Sequence, residues 1–189
     1  QGTGGDELFG GYPWRYYKVF DSISQKDFFN QYYDFWQRLV PDQEKEELFT
    51  KQVFDKIDVK EPRRVFERVF TFNDKLKYNT PEEHINNSLY FEIKTFLPGL
   101  FLVGDKLAMA HGLEERFPFM DNDLVNFAMK VPVKHKLGNL TKEIATIDEN
   151  ETVEKKKTIS YREFDDGKNV LRKAMSEFIP ETIINRKKQ

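Results

Sequence analysis

The sequence predicts a mainly α-helical chain. Apolar residues recur at helical spacing in segment after segment. Prolines stand at the starts of those segments, where a missing N–H is harmless, or just past their ends. Only one stretch, 141–166, reads differently.

In chain order, Gly2-Thr3-Gly4-Gly5-Asp6-Glu7 reads as a glycine-rich loop feeding a helix. Its two carboxylates fall in the first turn, where they complement the positive end of the helix dipole. Over 27–39, Phe28, Tyr32, Phe35, Trp36 and Leu39 form one apolar stripe. Pro41 ends that helix and opens the next, 42–49. Residues 62–72 carry Val65, Phe66, Val69 and Phe70 on one face. Thr80-Pro81-Glu82-Glu83 is a helix start, with a hydroxyl cap, proline at the first position and a carboxylate three residues after the cap. Ile85, Leu89, Ile93, Phe96 and Leu97 line that helix until Pro98-Gly99 breaks it. Further helices are expected over 100–111, over 122–129 up to the Val131-Pro132 step, and over 167–178, followed by a short turn around 180–185. The charged, β-branched stretch 141–166 is expected as a mobile loop or an exposed hairpin.

Composition narrows the function classes. Among 189 residues, 30 Lys and Arg against 32 Asp and Glu leave a net charge of −2, so nothing advertises nucleic acid. Aromatic residues are 15% of the chain, with 18 Phe and 8 Tyr, which predicts a core packed on rings. Cysteine is absent, which removes disulfide and thiol chemistry and fits a reducing compartment. No apolar stretch is long enough to span a bilayer and no secretory leader pattern occurs, so the expected location is cytoplasmic, with no membrane partner. His84, His111 and His135 lack metal-ligand spacing, so no protein-held metal is expected.

The opening run carries the first chemical signal. Glycines at 2, 4 and 5 let the backbone approach a ligand and turn successive N–H groups toward an anion. The bland alternative is a glycine-rich turn that starts a helix. A second segment runs Gly104-Asp105-Lys106-Leu107-Ala108-Met109-Ala110, then Leu113-Glu114-Glu115-Arg116-Phe117-Pro118-Phe119-Met120-Asp121. A third runs Lys168-Asn169-Val170-Leu171-Arg172 through Pro180-Glu181 to Asn185-Arg186-Lys187-Lys188-Gln189. Together and in this order the three resemble the asparagine synthetase family.

The resemblance implies a fold, a reaction and a set of residues. Such enzymes adenylate a carboxylate with ATP and Mg²⁺, and ammonia from a glutaminase domain then displaces AMP to give an amide. The parent domain implied is an α/β, adenine-nucleotide α-hydrolase-like (PP-loop ATPase) domain, with a Ser-Gly-Gly-x-Asp-Ser loop. Residues 1–189 then correspond to its mostly helical C-terminal part, without the glutaminase domain or that loop, and 139–166 to a variable charged insertion. Gly2, Gly4, Gly5 and Asp6 match residues bordering the acyl-adenylate, with a plain helix cap as the alternative. Lys168 matches the lysine that stabilises charge on the adenylate and the tetrahedral intermediate. Asp105 matches a site aspartate; on a helix it shares a face with Met109, expected to be buried. Glu114 and Arg116 point either at substrate or at each other. Lys187, with Arg172, Arg186 and Lys188, meets pyrophosphate or forms a solvated tail. Asp121 is expected as a helix cap. Thr3 is the departure: the family commonly has a carboxylate there, proposed to take a proton from ammonia, and a hydroxyl cannot do so near neutral pH. Either another group does so, or the acceptor is not aspartate but another acid.

The alternative function is a non-catalytic interaction or scaffold module. Helices that would normally cover a sheet are expected to expose an apolar face, and with it self-association into a homo-oligomer or aggregates.

Overall fold

A computed structural model describes residues 2–37, 40–138 and 167–186. The expected insertion, 139–166, lies outside the described residues, as do Lys187 and Lys188. The described residues are helical, with no strand among them. The helices are α1 (Gly5–Phe9), α2 (Pro13–Tyr17), α3 (Gln25–Trp36), α4 (Lys45–Leu48), α5 (Lys51–Phe54), α6 (Glu61–Thr71) and α7 (Pro81–Lys94). They continue with α8 (Phe96–Met109), α9 (Asn122–Lys130), α10 (Val133–Lys136), α11 (Asn169–Met175) and α12 (Glu181–Ile184).

Local chemistry explains where most of them begin. The Ser24 hydroxyl accepts from the Asp27 N–H at 3.2 Å, and the Asp27 carboxylate accepts from the Ile23 N–H at 3.0 Å, so α3 starts at Gln25 rather than at 27. Thr80 accepts from the Glu83 N–H at 3.2 Å, and Glu83 accepts from the Asn79 N–H at 2.7 Å, which starts α7 as its sequence predicts. Asp121 accepts from the N–H groups of Asp123 and Leu124 at 3.0 and 3.1 Å and caps α9.

The break expected at Pro98-Gly99 lies elsewhere. Helix α7 stops at Lys94, Thr95 leaves the helical region at φ −124°, and α8 begins at Phe96. Pro98 therefore sits in the first turn of α8, where its N–H would have no partner in any case. Two further expectations also shift. The 42–49 segment is a short 3₁₀ turn, Asp42–Glu44, followed by α4. The C-terminal helix starts at Asn169, because Lys168 takes a left-handed conformation at φ 63°.

Three apolar clusters hold the helices. The largest is aromatic, as composition predicts: Phe28, Tyr32, Phe66, Phe70 and Phe91 join α3, α6 and α7, with Phe28 fully buried. Its rings meet in tilted, stacked and edge-on pairs, such as Phe28 on Phe70 at 5.5 Å and 89°. A second cluster sets Tyr16, Ile85 and Leu89 against Val133 of α10 and Leu137 just past its end. The third packs Leu8 and Phe9 of α1 against Ala128 of α9, with Phe119, Met120, Val170 and Leu171 around them. This third cluster brings the three motif-bearing segments together, although they lie far apart in the chain.

Candidate active site

Gly2, Thr3, Gly4, Asp6, Glu7 and Tyr12 line a cleft of about 270 Å³, closed on another side by Leu100 of α8. Gly4 turns the chain into α1 at φ 101°, and a Cβ on it would lie 2.5 Å from Cε of Met120. The Met120 methyl could move aside, but the left-handed backbone itself favours glycine there, apart from any ligand. Around Gly2 nothing lies within 4 Å of a Cβ position.

The end of the loop is closed by the C-terminal segment. The Lys168 N–H donates to the Phe9 carbonyl at 3.0 Å. A Cβ on Gly167 would lie 2.2 Å from the Gly10 carbonyl oxygen, and one on Gly11 would lie 1.8 Å from Asp6 Oδ1 and 2.6 Å from Lys168 Cε. Absent side chains at 11 and 167 therefore leave the space in which Lys168 Nζ meets Asp6 Oδ1 at 2.9 Å. Lys168 is the one non-glycine residue with positive φ among those described. That conformation costs about 1 kcal/mol or more and is held by the surrounding contacts. Arg172 fixes the same segment, donating to the carbonyls of Gly167 and Ile184.

Behind the cleft lies a buried charged network that the sequence did not announce. Arg15 of α2 is buried, its guanidinium 3.9 Å from the Tyr12 ring centroid, 4.6 Å from Phe96 and 5.4 Å from Trp36. It pairs with the fully buried Glu92 of α7 at 3.6 Å. Glu92 also accepts from the Tyr16 hydroxyl at 3.1 Å. Burial pushes the Glu92 carboxyl up to about 7 in spite of Arg15. Desolvation also raises Glu7, which is almost fully buried; its Oε1 has no hydrogen-bond partner. Burial and the neighbouring carboxylates raise Tyr12 as well, so it remains a phenol. The missed signal was Glu92 itself, which stands seven residues after Ile85 and four before Phe96, within the apolar face of its helix.

Other expected site residues lie apart from the cleft. Asp105 is exposed on α8, and Met109, expected to be buried, is 60% exposed. Helix α8 buries Leu97 in its first turn, and further along leaves Leu102, Val103, Leu107 and Met109 exposed. Glu114 and Arg116 pair with each other at 2.8 Å across an extended stretch, both well exposed. Lys187 lies outside the described residues. No group of three His, Asp or Glu among the described residues is placed to hold a metal ion. No helix described is long and apolar enough to cross a membrane. A cavity of about 920 Å³ is an apolar groove between α3 and α6, and no motif residue lines it.

Comparison with known proteins bears on this arrangement. A family model described as Asparagine synthase matches residues 1–189. Asparagine synthetase [glutamine-hydrolyzing] 1 of Bacillus subtilis (strain 168) is 32% identical over 105 residues, which is 55% of this chain and 13% of that protein. Asparagine synthetase [glutamine-hydrolyzing] 3 of the same organism is 26% identical over 185 residues, covering 97% of this chain and 24% of that protein. Amidase chry2 of Gibberella zeae is 28% identical over 107 residues, 56% of this chain and 13% of that protein. The chain thus spans a quarter or less of the length of the curated relatives it matches. No solved structure matches it.

Proposed function

This chain belongs to the asparagine synthase family, and from that premise we propose that the full-length protein forms an amide by ATP-dependent activation of a carboxylate. The observation that carries the reading is the Asp6–Lys168 pair, assembled at the cleft from segments more than 160 residues apart and reached through contacts that only Gly11 and Gly167 permit. A lysine held there stabilises negative charge that grows as the carboxylate attacks and as the tetrahedral intermediate forms. The cleft beside Gly2 receives the substrate, and the buried Arg15–Glu92 network holds Tyr12 in its wall.

Bound ATP supplies the adenylyl group and leaves pyrophosphate. Among the described residues no carboxylate cage stands ready for Mg²⁺, so the ion would enter on the phosphates of the nucleotide. The nucleotide-binding sheet and the glutaminase domain belong to the rest of the protein in this reading, and its location is the cytoplasm. Lys187 and its neighbours would meet the pyrophosphate. The acceptor is aspartate or another small acid; Thr3 in place of a carboxylate favours a search beyond aspartate.

Pyrophosphate release by the full-length protein, given ATP·Mg²⁺, ammonia and a panel of carboxylic acids, tests this. Release that depends on one acid names the acceptor. Release with none moves the weight to a non-catalytic scaffold.

A further inference from the structure

Tyr12 is the aromatic ring in the cleft wall, and its neighbours fix it there. The Arg15 guanidinium covers the ring at 3.9 Å from its centroid. Trp14 stands edge-on to it at 5.8 Å and Phe96 at 6.2 Å. Arg15 is itself held, buried and paired with Glu92, which also accepts from the Tyr16 hydroxyl. Leu100 of α8, half-buried, closes the cleft on another side. A ring that cannot turn and a leucine thus offer an incoming molecule a fixed apolar surface.

Charge in the cleft is one-sided. Asp6 and Glu7 line it, and among the described residues no lysine or arginine does. Lys168 and Arg15, which stand beside its lining residues, each face a carboxylate: Lys168 faces Asp6 and Arg15 faces Glu92. Lys168 serves the carboxylate that is activated. A second carboxylate on the same acceptor would meet Asp6 and Glu7 with no described cation left to receive it, and like charges side by side at a binding site are strongly disfavoured. The Thr3 hydroxyl can bond an uncharged polar group but cannot neutralise a charge.

We propose that the acceptor is a small monocarboxylic acid whose uncharged body packs on Tyr12 and Leu100, with these two as specificity-determining residues and Arg15 as the positioning residue behind Tyr12. This names the substrate class of the amide-forming reading above and rests on it. The acid's one carboxylate lies toward the Asp6–Lys168 pair, and its carbon skeleton lies along the ring and the leucine. A cleft of about 270 Å³ suits a small acid.

Acid-dependent ATP–pyrophosphate exchange by the full-length protein tests it, with acids matched in size. Pentanoate and succinamate, each with one carboxylate, are set against succinate and aspartate. The monocarboxylic acids should be preferred by roughly 10-fold or more in kcat/KM. Leu100→Arg places a cation in the cleft wall and should shift the preference toward succinate by a similar factor. Tyr12→Leu should raise the KM of the acid roughly 10-fold with the KM of ATP unchanged, and Tyr12→Phe, which keeps the ring, should retain much of the affinity so lost. Arg15→Met, made together with Glu92→Gln so that no buried carboxylate loses its cation, should act on the acid KM in the same way. Equal or better use of succinate or aspartate by the unsubstituted protein would overturn the proposal. So would an unmoved preference in Leu100→Arg, or a parallel rise in the KM of acid and ATP in the Tyr12 and Arg15 variants. Exchange with dicarboxylic acids alone would refute the substrate class and leave the amide-forming reading standing; exchange with no acid of either kind would defeat that reading itself.

Discussion

Gly167→Ala probes the contact on which the site depends. The added Cβ would lie 2.2 Å from the Gly10 carbonyl oxygen, where real Cβ contacts essentially never fall below 3.0 Å. The obstacle is backbone, so no side chain can swing aside, and the two segments must part by about 0.8 Å. That opening stretches the Lys168 N–H bond to Phe9, now 3.0 Å, past hydrogen-bond length. It also carries Lys168 away from Asp6. Overpacking of this kind costs about 1–3 kcal/mol. The lost backbone bond adds about 1 kcal/mol. The stiffer unfolded chain returns somewhat less than 1 kcal/mol. A net loss of about 1–3 kcal/mol should appear as a lower urea midpoint at unchanged slope, together with a fall in carboxylate-dependent pyrophosphate release. Gly99→Ala is the control: nothing lies within 4 Å of its Cβ position and it sits inside α8, so it should hold or raise the midpoint. A Gly167→Ala protein with unchanged midpoint and activity would refute the close contact and the site built on it.

Other consequences follow from the same geometry. Lys168→Ala should abolish product while shifting the midpoint by no more than about 1 kcal/mol, because its ion pair is partly exposed, at 28% and 22% for Lys168 and Asp6. Normal turnover in that variant would remove Lys168 from the mechanism. The Glu92 carboxyl titrates near 7 in the folded protein against an ordinary 4.5, so between those values the folded state keeps a proton that the unfolded chain has lost. Stability should therefore fall as pH rises from about 4.5 to 7, by about 3 kcal/mol in total, and Glu92→Gln should flatten that fall in a series of urea titrations. Thr80→Ala removes the hydroxyl that caps α7 and should lower stability by about 1 kcal/mol in the same assay.

Features governed by chemistry within a turn were legible in the sequence. Thr80-Pro81 and Asp121 cap their helices as read, because the acceptor and the N–H it serves lie two or three residues apart. The aromatic stripe of α3 was legible from spacing alone, since Phe28, Tyr32 and Phe35 must fall on one face wherever that face is buried. Pro98 was misplaced because the rule for proline depends on where the helix starts: inside a helix it breaks, in the first turn it fits. Lys168 was expected inside a helix over 167–178; its left-handed backbone stands where Gly167 meets Gly10 and Gly11, a contact that no local pattern encodes. Arg15 is indistinguishable in sequence from a solvated arginine until Tyr12, Phe96 and Trp36 close around it. The glycines of the opening loop were read for ligand contact, and the left-handed backbone at Gly4 calls for glycine with or without a ligand.

The central claim is that a carboxylate is activated as an acyl-adenylate at the Asp6–Lys168 site. Supplying the full-length protein with its acceptor acid labelled with ¹⁸O in the carboxylate tests it most directly. One labelled oxygen should appear in AMP, transferred when the amide forms, with no such transfer in Lys168→Ala. Label recovered in inorganic phosphate, or retained wholly in the acid, would contradict it.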